Sequence, residues 1–406
     1  MKSTKPFKME LSDGVLEAMN ILMNNGYSAY AVGGCVRDSV LLKRPSDYDL
    51  TTSATPDEML SVFSSLGYRC IETGIKHGTL TVIINGENIE ITTYRVDGEY
   101  RDNRHPEGVT FTRLLKDDLA RRDFTVNAMA YNPVDSLVDE FGGIRDIELR
   151  IIRCVGKPCE RFSEDGLRIL RAIRFSSVLD FEVEAETDLA IHTMKGLLRN
   201  ISSERIYAEF CKMICGDGAL SVLSKYGDVI EVFCELDSSP EEYLKRCRAV
   251  SNAPKDLCVR IALFFNTPES VLFNMKKMKS DAHTSQYASR IAKYMHSEIE
   301  CDRTVLKKLI SEVGFELFYS VCDAKASLSD CKTDVDALRA LADDIRSSSE
   351  CVFLKELCIN GNDIKKLGFE GKDVGRVLSY LLCEVIEGNI QNTHESLVLA
   401  AKEYKL

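Results

Sequence analysis

The chain has 406 residues, 45% hydrophobic and 28% charged, the balance of a soluble globular protein with two to four domains. Its net charge of −11 argues against indiscriminate nucleic-acid binding but leaves room for one local basic stripe. No apolar run reaches the roughly 18 residues that span a bilayer, and the N-terminal "MKSTKPFKMELSDG" has no apolar h-region, so neither a membrane span nor a secretory signal is expected.

In chain order, "GVLEAMNILMNNG" reads as an amphipathic helix closed by Asn-Asn-Gly, and "SAYAV" as a short strand leading to Gly33-Gly34. "CVRDSVLL" then reads as a helix, "YDLTT" as a strand and "TPDEMLSVFSSLGY" as a helix. "TLTVII-NG-ENIEITTYR" has the form of a hairpin, two β-rich runs around Asn85-Gly86. The polar "VDGEYRDNRHPEGVTF" shows no packing pattern, so residues 95–112 are expected to form a mobile loop. From about residue 151 helical periodicity dominates, as in "DGLRILRAIRFSSVL" and "RIYAEFCKMICGDGALSVLSKYG". Soft boundaries fall near 152, 210 and 350, and residues 211–350 say little about chemistry. The fifteen cysteines are scattered and include no C-x-x-C pair, so reduced thiols are expected rather than a disulfide framework. The six dispersed histidines suggest no His-based metal site.

Three constellations carry chemistry. In "AVGGCVRDSVLLKRPSDYDLTT", Asp47 and Asp49 lie at i and i+2, a spacing that puts both on one face of a strand. Alone they would read as a solvated turn. Gly33 and Gly34 precede a helix start, where bare N–H groups can approach a phosphate, and Arg37 on the first turn could clamp the same anion. Glu90 points away from its neighbours Ile89 and Ile91. Three acids on neighbouring strands beside a phosphate loop suit Mg²⁺, and a pair of such ions would activate a hydroxyl and stabilise a leaving pyrophosphate.

In "LARRDFTVNAMAYN", Arg122, Asp123 and Asn127 form a polar cluster. It reads either as helix capping by Asp123 with solvated arginines, or as Arg122 on a phosphate or base with Asp123 on a ribose hydroxyl. In "RFSEDGLRILRAIRF", Arg168, Arg171 and Arg174 recur every three residues on one helix side, with Asp165 one step earlier. A carboxylate only accepts hydrogen bonds and a guanidinium only donates them. An Asp165/Arg168 pair therefore matches cytosine and adenine, which pair an exocyclic amine with a bare ring nitrogen, and opposes uracil and guanine.

The set "VGGCVRD…SDYDLTTSATP", "IEITTYR", "DDLARRDFTVNAMAYNP", "DEFGGIRDI" and "ERFSEDGLRILRAIRF" resembles class II tRNA nucleotidyltransferases, the CCA-adding enzymes of the DNA polymerase β-like superfamily. The resemblance covers about 20–200 and resumes weakly at 359–392. It implies an α+β fold: a nucleotidyltransferase head, residues 1–152, followed by an all-helical neck (153–210), body (211–350) and tRNA-holding tail (351–406). It also implies metal on Asp47 and Asp49 with Glu90 as third acid. Gly33, Gly34 and Arg37 would meet the triphosphate. Arg122, Asp123, Asn127, Asp165, Arg168, Arg171 and Arg174 would form the nucleotide pocket. The expected reaction is template-independent addition of CCA to tRNA from CTP and ATP with Mg²⁺, in the cytoplasm, with no membrane and no obligatory protein partner. Rival readings are an A-adding or CC-adding enzyme of the same fold, a poly(A) polymerase, or a non-catalytic tRNA-binding homologue. Relatives usually carry alanine or proline where this chain has Gly166, and glycine inside a helix costs about 1 kcal/mol relative to alanine.

Overall fold

The first helix, α1 (Asp13–Asn24), starts where the Ser12 side chain accepts the Val15 N–H, and strand β1 (Ala29–Val32) follows it, buried along its whole length. This computed structural model describes residues 7–72, 74–98, 108–328, 334–348 and 350–404. Helix α2 (Gly34–Val40) and strand β2 (Asp49–Thr52) come next. Helix α3 (Pro56–Ser65) opens with a Thr55/Glu58 capping box and proline in the first turn. Strand β3 (Arg69–Ile71) precedes the hairpin of β4 (Thr79–Ile84) and β5 (Glu87–Thr93). Asn85 and Gly86 at its turn both have positive φ (52° and 82°), as a type I′ turn requires.

Strands β6 (Arg95–Asp97) and β7 (Val109–Phe111) pair antiparallel, so the two ends of the expected loop are a ribbon; residues 99–107 lie outside the described residues. Helix α4 (Leu115–Ala120), strands β8 (Ala130–Asn132) and β9 (Ser136–Val138), helix α5 (Gly143–Leu149) and strand β10 (Ile151–Ile152) complete the head. Its seven-stranded mixed sheet runs β3-β4-β5-β2-β1-β8-β9, with β2 and β5 parallel. Helices α1 and α3 pack on this sheet, burying Met19, Leu22, Met59 and Phe63 with Leu80, Val82 and Ile91 of the hairpin.

Helices follow: α6 (Pro158–Glu164) and α7 (Leu167–Leu179), then α8 (Ala185–Met194), α9 (Ser203–Ile214), α10 (Ala219–Lys225) and α11 (Gly227–Ile230). Among the described residues, the one strand beyond 152 is β11 (Glu182–Val183), parallel to β10. The helical run read across 205–227 breaks between α9 and α10, where Gly216 packs against Ser177 so closely that a Cβ would meet its hydroxyl at 2.2 Å. The soft boundary expected near 210 falls inside α9; the first compact unit extends to Glu235 and includes Lys277–Lys279.

The second unit, Leu236–Lys276 with Ser280–Leu406, is helical throughout its described residues. Its α13 (Leu257–Phe265), which follows α12 (Pro240–Asn252), is buried from Val259 to Phe265. Near the C-terminus, Ile364, Val377, Leu381, Leu397 and Ala401 share one core. All fourteen described cysteines are free thiols, and no helix among the described residues is long and apolar enough to cross a membrane.

Candidate active site

Gly33 (φ +77°) turns the chain from β1 into α2 in a conformation that suits glycine. A Cβ here would stand 3.0 Å from Arg122 Nη1, and one on Gly34 would stand 3.7 Å from Arg37 Nη2. Two guanidinium groups thus flank the bare backbone of the elbow. Arg37 donates to Asn127 Oδ1 (2.7 Å) and pairs with Asp38 (2.7 Å). Arg122 Nη2 reaches Asp118 Oδ2 at 3.4 Å, while its buried Nε has no acceptor among the described residues. A guanidinium with an unused buried N–H is poised for an anion.

Asp49 opens β2, and the parallel register sets it beside Glu90 on β5, so the two carboxylates share a face while Leu50 and Ile91 turn into the core. Asp47 stands two residues earlier. All three line a cleft of ≈ 1160 Å³. Asp49 keeps exposed surface, yet its carboxyl is raised above the usual range, first by desolvation, then by the charges of Asp47 and Glu90, with Arg122 opposing. The three acids do not form a closed cage: among the described residues, no three His, Cys, Asp or Glu side chains converge as a metal site. An open set of one or two carboxylates is the form in which Mg²⁺ is ordinarily held, its other positions left to water and substrate phosphates.

The arginine row of α7 joins this elbow through Asp123. Asp123 Oδ1 accepts from Asn127 Nδ2 (3.2 Å) and Oδ2 from Arg171 Nη2 (2.5 Å). Burial alone would raise the Asp123 carboxyl, but the charge and hydrogen bond of Arg171, with Asn127, hold it below the usual range. Arg174 donates to the buried Glu209 at 2.8 Å, and Phe175 carries Arg37 and Arg171 over its ring at 5.3 and 5.4 Å. Glu209→Ala would strand Arg174 without its acceptor. It is expected to cost about 3–5 kcal/mol in urea unfolding; a loss under about 1 kcal/mol would show that Arg174 finds another partner.

Asp165 is not on the helix with the arginines. It lies in the extended break between α6 and α7 (φ −136°, ψ 105°), accepting the Leu167 N–H at 3.0 Å and Arg205 Nη2 at 2.8 Å. Arg168 is engaged apart from it, by Glu164 (2.6 Å) and the Arg121 carbonyl (3.0 Å). Gly166 stands at the N-cap of α7, so the interior helix cost does not apply; a Cβ there would sit 3.1 Å from that of Leu197. The structure therefore draws Gly33, Gly34, Arg37, Arg122, Asp123, Asn127 and Arg171 into one connected group and leaves the Asp165 and Arg168 side chains on separate partners, their backbones joined by the Arg168 N–H donating to the Asp165 carbonyl at 2.9 Å.

Sequence reasoning missed Asp118, Glu164, Arg205 and Glu209. Asp118 and Glu164 had a readable signal, an arginine three or four residues away on a helix. Arg205 and Glu209 had none, because their partners lie 40 and 35 residues off.

The Poly A polymerase head domain model matches residues 29–153, the RNA and SrmB-binding site of polymerase A matches 180–226, and tRNA nucleotidyltransferase domain 2 matches 257–401. The head match likens residues 29–153 to the head domain of poly(A) polymerase. The CCA-adding enzyme of Ligilactobacillus salivarius is 34% identical over 393 residues, 93% of each chain, and that of Enterococcus faecalis 32% over 397, covering 94% of this chain and 93% of its own. The chain belongs to the CCA-adding enzyme family. The crystal structure of the Bacillus stearothermophilus CCA-adding enzyme in complex with CTP superposes with a TM-score of 0.83 at 28% identity over 96% of both chains. The Thermotoga maritima enzyme complexed with tRNA shares the fold, with a TM-score of 0.64 at 23% identity over 95% of this chain and 94% of its own.

Proposed function

We propose that this chain extends the 3′ end of tRNA with C, C and A, taking CTP and ATP and releasing pyrophosphate, in the cytoplasm. The observation that carries the reading is the juxtaposition on the three central strands of the sheet: an arginine-flanked glycine elbow for a triphosphate beside an acid-lined cleft. Full-length likeness to named CCA-adding enzymes supports it.

Asp47 and Asp49, with Glu90 as third acid, would hold Mg²⁺, which supplies Lewis-acid activation of the attacking hydroxyl and charge neutralisation of the leaving group. Arg37 and Arg122 orient the triphosphate at Gly33 and Gly34. Asp123 and Asn127 hold Arg171 and Arg37 in place and leave Asp123 near the ribose. Asp165 and Arg168 read the base, and Arg171 and Arg174 close the pocket. The head (1–152), neck (153–210), body (211–350) and tail (351–406) divide the work, with the tail gripping tRNA.

The test is incubation with tRNA lacking its CCA end, with CTP alone, ATP alone, or both. Full CCA addition requires two additions from CTP and a third only when ATP is present. No addition from CTP would leave A-only activity, and addition of repeated A would leave poly(A) polymerase. The segment 98–107, in the loop whose composition has no apolar pattern, is expected to matter in the final step: its deletion should spare C addition more than A addition. Equal loss of both would remove it from the specificity switch.

A further inference from the structure

The acid-lined cleft has a basic lip that the chemistry above does not use. Immediately after α2 the chain runs Leu41-Leu42-Lys43-Arg44, and Leu42, Lys43 and Arg44 line the same cleft as Asp47, Asp49 and Glu90. The backbone here is pinned: the N–H groups of Leu41, Leu42 and Lys43 donate to the carbonyls of Arg37, Ser39 and Asp38 at 2.9, 3.1 and 2.8 Å. The side chains are not. Lys43 and Arg44 are exposed and carry no ion pair among the described residues, in a protein where most described arginines are paired. Leu42 is 95% exposed and adopts φ +58°, a left-handed position where glycine or asparagine is the usual choice. A leucine at that position projects an apolar side chain into solvent beside two free cations.

The lip lies on a different side of the acids from the elbow. The cleft is lined by Lys43, Arg44 and the three carboxylates, and not by Gly33, Gly34, Arg37 or Arg122. Asp49 links the two sides, since it pairs across the sheet with Val32, the residue before Gly33, and with Glu90. In-line displacement places the attacking and leaving oxygens on opposite sides of the phosphorus. If the triphosphate occupies the elbow, the strand bearing the attacking hydroxyl must come from the cleft side. That strand is a polyanion, and the floor it approaches is acidic.

We propose that Lys43 and Arg44 bind phosphates of the tRNA acceptor strand as its 3′ end enters the cleft, with Leu42 against a terminal sugar or base; this rests on the reading of the chain as a CCA-adding enzyme. The two cations offset repulsion from the acids and draw the strand into the cleft. They contact the primer strand and leave the incoming nucleotide to the elbow.

The test is steady-state C addition by the full chain carrying Lys43→Ala and Arg44→Ala together, on tRNA lacking CCA. The KM for tRNA is expected to rise about tenfold, with kcat and the KM for CTP within about twofold of wild type. The salt dependence of kcat/KM for tRNA should become shallower by about 1.4 in log–log slope, two contacts at about 0.7 each for a single strand. Lys43→Arg with Arg44→Lys should restore both readouts. A raised KM for CTP would assign the lip to the triphosphate and overturn the proposal, as would an unchanged KM for tRNA and salt slope. Failure of the wild-type chain to add C would sink the functional reading itself, a separate result.

Discussion

Asp49→Ala is expected to lower nucleotide transfer by about three orders of magnitude or more while leaving the fold intact, because a lost metal ligand removes several kcal/mol of transition-state stabilisation. Asp47→Ala should behave alike. The physical argument separates this loss from misfolding. The Asp49 carboxyl is raised in the folded chain by burial and by Asp47 and Glu90. A raised carboxyl contributes stability that is full below its unfolded pKa and is lost as pH rises through the folded one. At neutral pH the ionised group is therefore a cost, so Asp49→Asn should melt at the same temperature as wild type or higher at pH 7, and the difference should shrink as pH falls and vanish only below the unfolded pKa of about 3.9. Added Mg²⁺ should raise the melting temperature of wild type but not of Asp49→Asn. Activity within about tenfold of wild type in Asp49→Ala would remove Asp49 as an essential ligand.

Asp165→Asn is expected to shrink the preference for CTP over UTP by about 5- to 150-fold, the roughly 1–3 kcal/mol carried by a good bidentate base contact. The amide can turn and donate to the uracil carbonyl, while Arg168 still faces the uracil N–H, donor against donor. UTP therefore gains only in part, and C and A addition fall together. The substitution also weakens the pair with Arg205 at 2.8 Å, which fixes the Asp165 carboxylate in the break between α6 and α7. Single-nucleotide addition with each of the four triphosphates, on tRNA ending before CCA and on tRNA ending in CC, reads the effect. An unchanged preference for C and A would make Asp165 a cap for α7 and nothing more.

The candidate site was legible where its signal is local. The paired glycines before a helix and the Asn85-Gly86 turn are set within a few residues by backbone freedom and turn geometry, and the structure has an elbow and a type I′ hairpin there; of the Asp-x-Asp pair only Asp49 is in a strand, since β2 begins at it and Asp47 lies in the preceding turn segment. The loop was half legible. Polar composition marks residues 95–112 as lacking a core face, but cannot show that Arg95–Asp97 pairs with Val109–Phe111, because the bond pattern of a ribbon belongs to the backbone. Gly166 was misjudged for a similar reason: a helix cost depends on the residue being inside the helix, and α6 stops at Glu164.

By itself the sequence determined most strands and helices of the head with its hairpin, the helical remainder, the glycine elbow, the paired aspartates and the arginine row, since each follows from periodicity or spacing along one element. Only the tertiary structure decided who meets whom. Strand order places Glu90 beside Asp49, helix packing gives Arg171 to Asp123 and Arg174 to Glu209, and the break after α6 gives Asp165 to Arg205 while Arg168 turns to Glu164. Opposite charges pair at short range wherever folding sets them, and a buried carboxylate takes the nearest desolvated guanidinium whatever its distance in sequence. Register and packing supply those distances, and spacing along the chain does not.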